Sequence, residues 1–125
     1  MANVLIVDDD VSAQKAMKQS LYEGGIKSAH TASSDAAYSI LFVEGEFDAL
    51  VLNVGLEDRT GLELFGKIRD SFPSLPVVML ASGGGVFSVE VAAAIADLRG
   101  AKSFLLKPFS GADLVASVKR ALKSD

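Results

Sequence analysis

The 125-residue chain has no cysteine and no tryptophan, a single histidine at His30, and three prolines. Without cysteine there is no disulfide framework, no thiol nucleophile and no cysteine-type zinc site, and one histidine cannot build a multi-histidine centre. No stretch approaches the roughly 18 uninterrupted apolar residues that suggest a membrane span. Yet half the positions are apolar and mean hydropathy is +0.35, so that content must be buried inside a fold. Twelve Lys and Arg face 16 Asp and Glu, for a net charge of −4, with no basic run. The positive footprint of a nucleic-acid-binding surface is missing, and direct nucleic-acid binding is not expected. The start, Met1 to Asp8, has no basic segment before its apolar run and meets acid after only four apolar residues, unlike a secretory signal. A cytoplasmic location without membrane contact is expected, and the length suits one domain over residues 1–125.

What is present is regular. Short apolar runs recur at Val4–Val7, Lys27–Ala32 (the weakest), Ala49–Leu52, Val77–Leu80 and Phe104–Leu106. They are continuous rather than alternating, which suits strands covered on both faces in a parallel sheet. Between them the spacing is helical: Phe65, Ile68 and Phe72 trace one stripe, and Leu114, Val118 and Leu122 another. Gly24-Gly25 can close the first helix, Pro73 follows the third and Gly100 the fourth, while Ser110 three residues ahead of Asp113 resembles a capping box. This predicts a (βα)5 flavodoxin-like three-layer sandwich with strand order 2-1-3-4-5. The five aromatics Phe42, Phe47, Phe65, Phe72 and Phe109 sit among apolar neighbours and read as core.

In such a sheet, ligands bind beyond the carboxyl ends of the strands, where strand order reverses. The residues there are Asp8-Asp9-Asp10 after the first strand, Asn53 after the third, Ala81-Ser82 after the fourth and Lys107-Pro108 after the fifth. Proline holds the preceding residue extended, so Lys107 should project past the sheet edge towards an anion. Adjacent carboxylates with a further oxygen ligand opposite are hard-oxygen chemistry suited to Mg²⁺. Each feature alone has a simpler reading. The three aspartates could be a solvated turn or the N-terminal charge of the first helix, Lys107 a surface lysine, and His30 an edge residue. Gly83-Gly84-Gly85 lacks both standard phosphate-loop patterns and reads as a connection before the fourth helix.

Taken together, these residues resemble the receiver domain of bacterial two-component response regulators over essentially the whole chain. The motifs that carry the likeness are Val4-Leu5-Ile6-Val7-Asp8-Asp9-Asp10, Phe47-Asp48-Ala49-Leu50-Val51-Leu52-Asn53, Gly61-Leu62-Glu63-Leu64, Leu75-Pro76-Val77-Val78-Met79-Leu80 and Phe104-Leu105-Leu106-Lys107-Pro108-Phe109. The resemblance implies that Asp8 and Asp9 hold Mg²⁺, with the position of Asn53 and the Gly55 carbonyl as further ligands. It implies that Lys107, usually followed by a cis proline, contacts a phosphoryl group, with Ala81 and Ser82 at the neighbouring phosphoryl-binding place. Phe104 stands at the position of the aromatic that changes orientation on activation.

The departures set the functional expectation. Where the family has the aspartate that takes phosphate from a histidine kinase, this chain has Asn53. A neutral carboxamide is a poor nucleophile and cannot form the acyl phosphate that a carboxylate forms. The usual Ser or Thr is Ala81, the proline common after the acceptor is Glu57, and Thr60 before Gly61 is a mild change. Asn53 is either natural or a laboratory substitution that blocks phosphorylation, and Ala81 and Glu57 favour the natural reading. The lost charge should weaken Mg²⁺ binding by about 1–3 kcal/mol, roughly ten- to a hundredfold, to the millimolar range or worse. Glu57 and Asp58 read as solvated loop acids rather than replacements for it. Because Ala81 has no hydroxyl to move, Phe104 is expected to stay inward.

The expected function is therefore that of a receiver in phosphorelay signalling that acts by phosphorylation-independent protein–protein contact, and not as an enzyme. Expected partners are a histidine kinase or phosphotransfer protein, a downstream output protein, or both. The chain is either a monomer or a dimer through the face of the predicted fourth helix, fifth strand and fifth helix. A single-domain regulator and a receiver from a longer protein both fit. Asp8-Asp9-Asp10-Val11-Ser12 loosely resembles the strand-end motif of haloacid-dehalogenase-type phosphatases, but no later acidic pair follows and there is no room for a cap. A third reading is a purely structural interaction domain whose acids bind nothing.

Overall fold

Val4 to Val7, Ala49 to Leu52 and Val77 to Leu80 are all wholly buried, as apolar runs sandwiched between helices on both sides must be. The computed structural model describes residues 1–56, 60–82, 90, 93–94, 97 and 100–123. Its strands are β1 (Asn3–Val7), β2 (Lys27–Thr31), β3 (Ala49–Asn53), β4 (Val77–Ser82) and β5 (Ser103–Lys107). They form one parallel sheet in the order β2-β1-β3-β4-β5, the order expected from the sequence. The described helices are α1 (Val11–Glu23), α2 (Ser34–Glu44), α3 (Gly61–Ser71) and the C-terminal α4 (Gly111–Lys123). The predicted helix between β4 and β5 lies largely outside the described residues, as do Glu57, Asp58 and Gly83-Gly84-Gly85.

Successive strand residues point to opposite faces, and the core divides accordingly. Leu5, Val7, Leu50, Leu52, Val77 and Met79 join Ala37 and Leu41 of α2 and Leu64, Phe65 and Ile68 of α3. Val4, Ile6, Val51, Val78 and Leu80 join Met17 and Leu21 of α1 and Leu114 and Val118 of α4. The edge strand β2 has the weakest apolar pattern because neither Lys27 nor His30 is covered, and both are exposed.

The helix ends follow the local chemistry. Asp10, Ser33 and Thr60 cap α1, α2 and α3, each accepting from the backbone N–H three residues on. At α4, Ser110 Oγ accepts from Asp113 N–H at 3.0 Å and the Asp113 carboxylate reaches back to the Ser110 N–H at 3.5 Å, the reciprocal capping expected there. Gly25 takes the left-handed conformation, φ +82°, that turns the chain out of α1.

Two expectations need correcting. Strand β4 runs to Ser82, two residues beyond the apolar run, so Ala81 and Ser82 belong to the sheet and pair with Leu106 and Lys107 of β5. Of the five aromatics read as core, only Phe65 is wholly buried. Phe47, Phe72 and Phe109 are half-buried, and Phe42 is 57% exposed. The reason lies in α2: Ala37 and Leu41, four apart, face the sheet, and Phe42 is turned about 100° away from Leu41. There it packs against the edges of Tyr38, at 4.8 Å between ring centroids, and Phe72, at 5.0 Å.

Candidate functional site

Parallel register brings the strand ends together. Val7 lies opposite Leu52, so Asp8, just past β1, stands beside Asn53 at the end of β3. Asn53 lies opposite Leu80, and Ser82 opposite Lys107, which extends the same edge across β4 to β5. The predicted constellation of Asp8, Asn53, Ala81, Ser82 and Lys107 is thus gathered along one end of the sheet.

The three aspartates differ in burial and in partners. Asp8 is wholly buried. Its Oδ1 accepts from the Asp10 N–H at 3.0 Å, and its Oδ2 pairs with the Lys107 ammonium at 2.7 Å. Asp9 is half-buried. Asp10 is exposed and serves as the cap of α1, accepting from Ala13 N–H at 3.2 Å. Asp10 thus answers to the helix-terminal reading, while Asp8 lies with Lys107 at the strand ends.

Lys107 meets a carboxylate of its own chain, and its side chain is 23% exposed. The Lys107–Pro108 bond is cis, as the resemblance implied. Asn53 is 8% exposed. Gly55 is exposed, Ala81 is buried and Ser82 is exposed at the end of β4. Phe104 is half-buried and packs against the core cluster that contains Ala81 and Met79.

Gln14 escaped the sequence reading. It is buried, and its Nε2 donates to the Asp8 carbonyl. The signal was present: Gln14, Met17 and Leu21 form one stripe of α1, and a polar residue on an apolar stripe needs a partner. Gly61 was noted only as a motif residue. Its N–H donates to Val54 O at 2.7 Å, and its backbone lies against Asn53, which fixes the start of α3 against the end of β3.

The donor chemistry can be set against a divalent ion. Carboxylate, carboxamide and carbonyl oxygens are the types Mg²⁺ prefers. As arranged, however, both Asp8 oxygens are engaged by donors of the chain, and Asn53 brings no charge. Among the described residues no group of three acidic or histidine side chains is placed to hold a metal. The residues present do not form a ready Mg²⁺ site.

A doubly wound domain whose acids and lysine meet at the switch point between β1 and β3 is of the class that two-component signalling uses to receive its input. More narrowly, the chain belongs to the response regulator receiver domain family, whose model matches residues 4–119. It is 33% identical over 119 residues to the response regulator protein FleR of Pseudomonas aeruginosa, covering 95% of this chain and 24% of that protein. It is 28% identical over 124 residues to the DNA-binding transcriptional regulator NtrC of Azospirillum brasilense, covering 99% of this chain and 25% of that one. The receiver domain of NtrX from Brucella abortus superposes with a TM-score of 0.88 at 28% identity, covering 98% of this chain and 99% of that chain. A putative response regulator from Chloroflexus aurantiacus gives 0.87 at 29% identity, covering 98% of each chain. The chain spans between about a quarter and a half of the length of the curated relatives it matches. Among the described residues no helix is long and apolar enough to cross a membrane.

Proposed function

We propose that this receiver takes no phosphoryl group at position 53 and signals through protein–protein contact that is independent of phosphate. The observation that carries the reading is Asn53 itself, a neutral carboxamide 8% exposed at the end of β3, at the position where the family has its acceptor aspartate. An amide cannot displace a phosphoryl leaving group to give a stable acyl phosphate. Ala81 strengthens the reading, because it has no hydroxyl to follow a phosphoryl group, and Phe104 already packs against the cluster that holds Ala81. The surface around Phe104 is then held in one signalling state. Its partners are proteins of the same pathway, either a histidine kinase or phosphotransfer protein or an output protein. It makes no direct contact with nucleic acid or membrane, works in the cytoplasm and is no enzyme. Mg²⁺ binds in the millimolar range or more weakly.

The test is incubation of the chain and of Asn53→Asp with Mg²⁺ and a small phosphodonor, read by intact mass. The parent is expected to stay unmodified and the variant to gain one phosphoryl group. A phosphoryl group on the parent would overturn the reading. If neither is modified, Ala81 and the loop after β3 block acceptance as well.

A further inference from the structure

Every polar atom of Asp8 is engaged by the chain itself. Its N–H donates to Thr31 O at 3.1 Å, and its carbonyl accepts from Gln14 Nε2. Its Oδ1 accepts from the Asp10 N–H and its Oδ2 from the Lys107 ammonium. A carboxylate with no exposed surface, as here, stays charged only when a cation and hydrogen bonds replace its water. Lys107 supplies that cation, from β5, three strands away in the sheet and 99 residues along the chain. Position 53 offers the ammonium no competing charge, because Asn53 is neutral. Lys107 therefore has a strong electrostatic reason to remain on Asp8.

We propose that Lys107 is the resident cation of this cleft: its ammonium holds the Asp8 oxygen that a divalent ion would need, and this occupancy keeps Mg²⁺ out. The inference deepens the receiver reading, since it rests on Asp8 and Asp9 being the acids of the acceptor site. Lys107 and a divalent ion are mutually exclusive ligands of Asp8 Oδ2, so each weakens the other by the same factor. With the ammonium in place, Asp8, Asp9 and Lys107 sum to a single negative charge, a weaker field for a dication that dehydrates reluctantly. With it removed, the two carboxylates stand without a neutralising cation and Asp8 Oδ2 is open to a divalent ion. The fold of this receiver is then independent of divalent ions, and Lys107 sets that independence.

The test is a Mg²⁺ titration of the full chain, of Lys107→Met, and of Lys107→Met combined with Asp8→Asn, followed by calorimetry and by thermal unfolding. Lys107→Met should bind Mg²⁺ at least about tenfold more tightly than the parent, the scale of one charge contact in a partly solvated cleft. Its Tm should climb with Mg²⁺ while that of the parent stays flat over the same range. The double variant, which leaves neither the charge nor its partner, should fold and show no response. Equal affinities of Lys107→Met and the parent would overturn the proposal, as would micromolar Mg²⁺ binding by the parent. If Lys107→Met is unfolded without metal because Asp8 is left unpaired, refolding by Mg²⁺ but not by NaCl of equal ionic strength supports the proposal. Failure of Mg²⁺ to refold it overturns it. Phosphoryl transfer is not read at any point, so modification of the parent by a phosphodonor would sink the proposed function without altering this titration.

Discussion

Gly61, the first residue of α3, lies so close to the end of β3 that an added Cβ would fall within contact of the Asn53 carbonyl oxygen and 2.7 Å from Val54 Cα. Val54 and Gly61 are thus held together, with Gly61 N–H on Val54 O at 2.7 Å. The close approach, and not freedom in φ, is what demands glycine here.

Gly61→Ala should therefore destabilise the domain, although alanine is the better helix former by roughly 1 kcal/mol. Overpacking against backbone costs about 1–3 kcal/mol and occasionally more. Urea denaturation checks the sign: a variant as stable as the parent would contradict the packing.

Asp10 is the N-cap of α1. Asp10→Ala should lose about 1 kcal/mol, whereas Asp10→Asn keeps the cap and loses only the charge–dipole part, about 0.3–1 kcal/mol. Neither change should alter the response to Mg²⁺. Thermal unfolding of the two variants should rank them in that order.

Arg69 ties the end of α3 to the approach of β4, donating from Nη1 to the carbonyls of Pro73 and Leu75, each at 2.9 Å, and of Phe72 at 3.3 Å. Burial pushes its guanidinium down from the ordinary value. Arg69→Met should cost about 1–2 kcal/mol, since hydrogen bonds to a charged donor are stronger than neutral ones but this one is partly solvated. A chemical denaturation midpoint equal to that of the parent would contradict the tie.

Phe104 should give a single set of ring resonances, with contacts to the Met79 and Ala81 side of the sheet. Two ring environments of similar population, or a fully solvated ring, would contradict a surface held in one state.

Much of the fold is legible in the sequence, for physical reasons that differ by element. Val4–Val7 and Ala49–Leu52 are continuous apolar runs because both faces of a central parallel strand are covered, so their place in the sheet follows from composition alone. Edge strand β2 shows only a weak pattern for the opposite reason. The strand-end residues could be listed because the switch point of a doubly wound sheet is set by topology. Which partner Lys107 chooses could not, since Asp8 and Asn53 stand side by side and only the folded charge balance decides. The exposure of Phe42 is not legible, because local apolar neighbours do not say which side of α2 meets the sheet. Gln14 was overlooked even though its place on an apolar stripe was a usable sign.

The central claim is that no phosphoryl group is received, and amide spectra test it most directly. Spectra of the chain are recorded in Mg²⁺, before and after addition of a small acyl phosphate. Unchanged resonances are expected for Val54, Ala81 and Phe104 between the two. A new set of resonances at those residues, decaying back as an acyl phosphate hydrolyses, would contradict it.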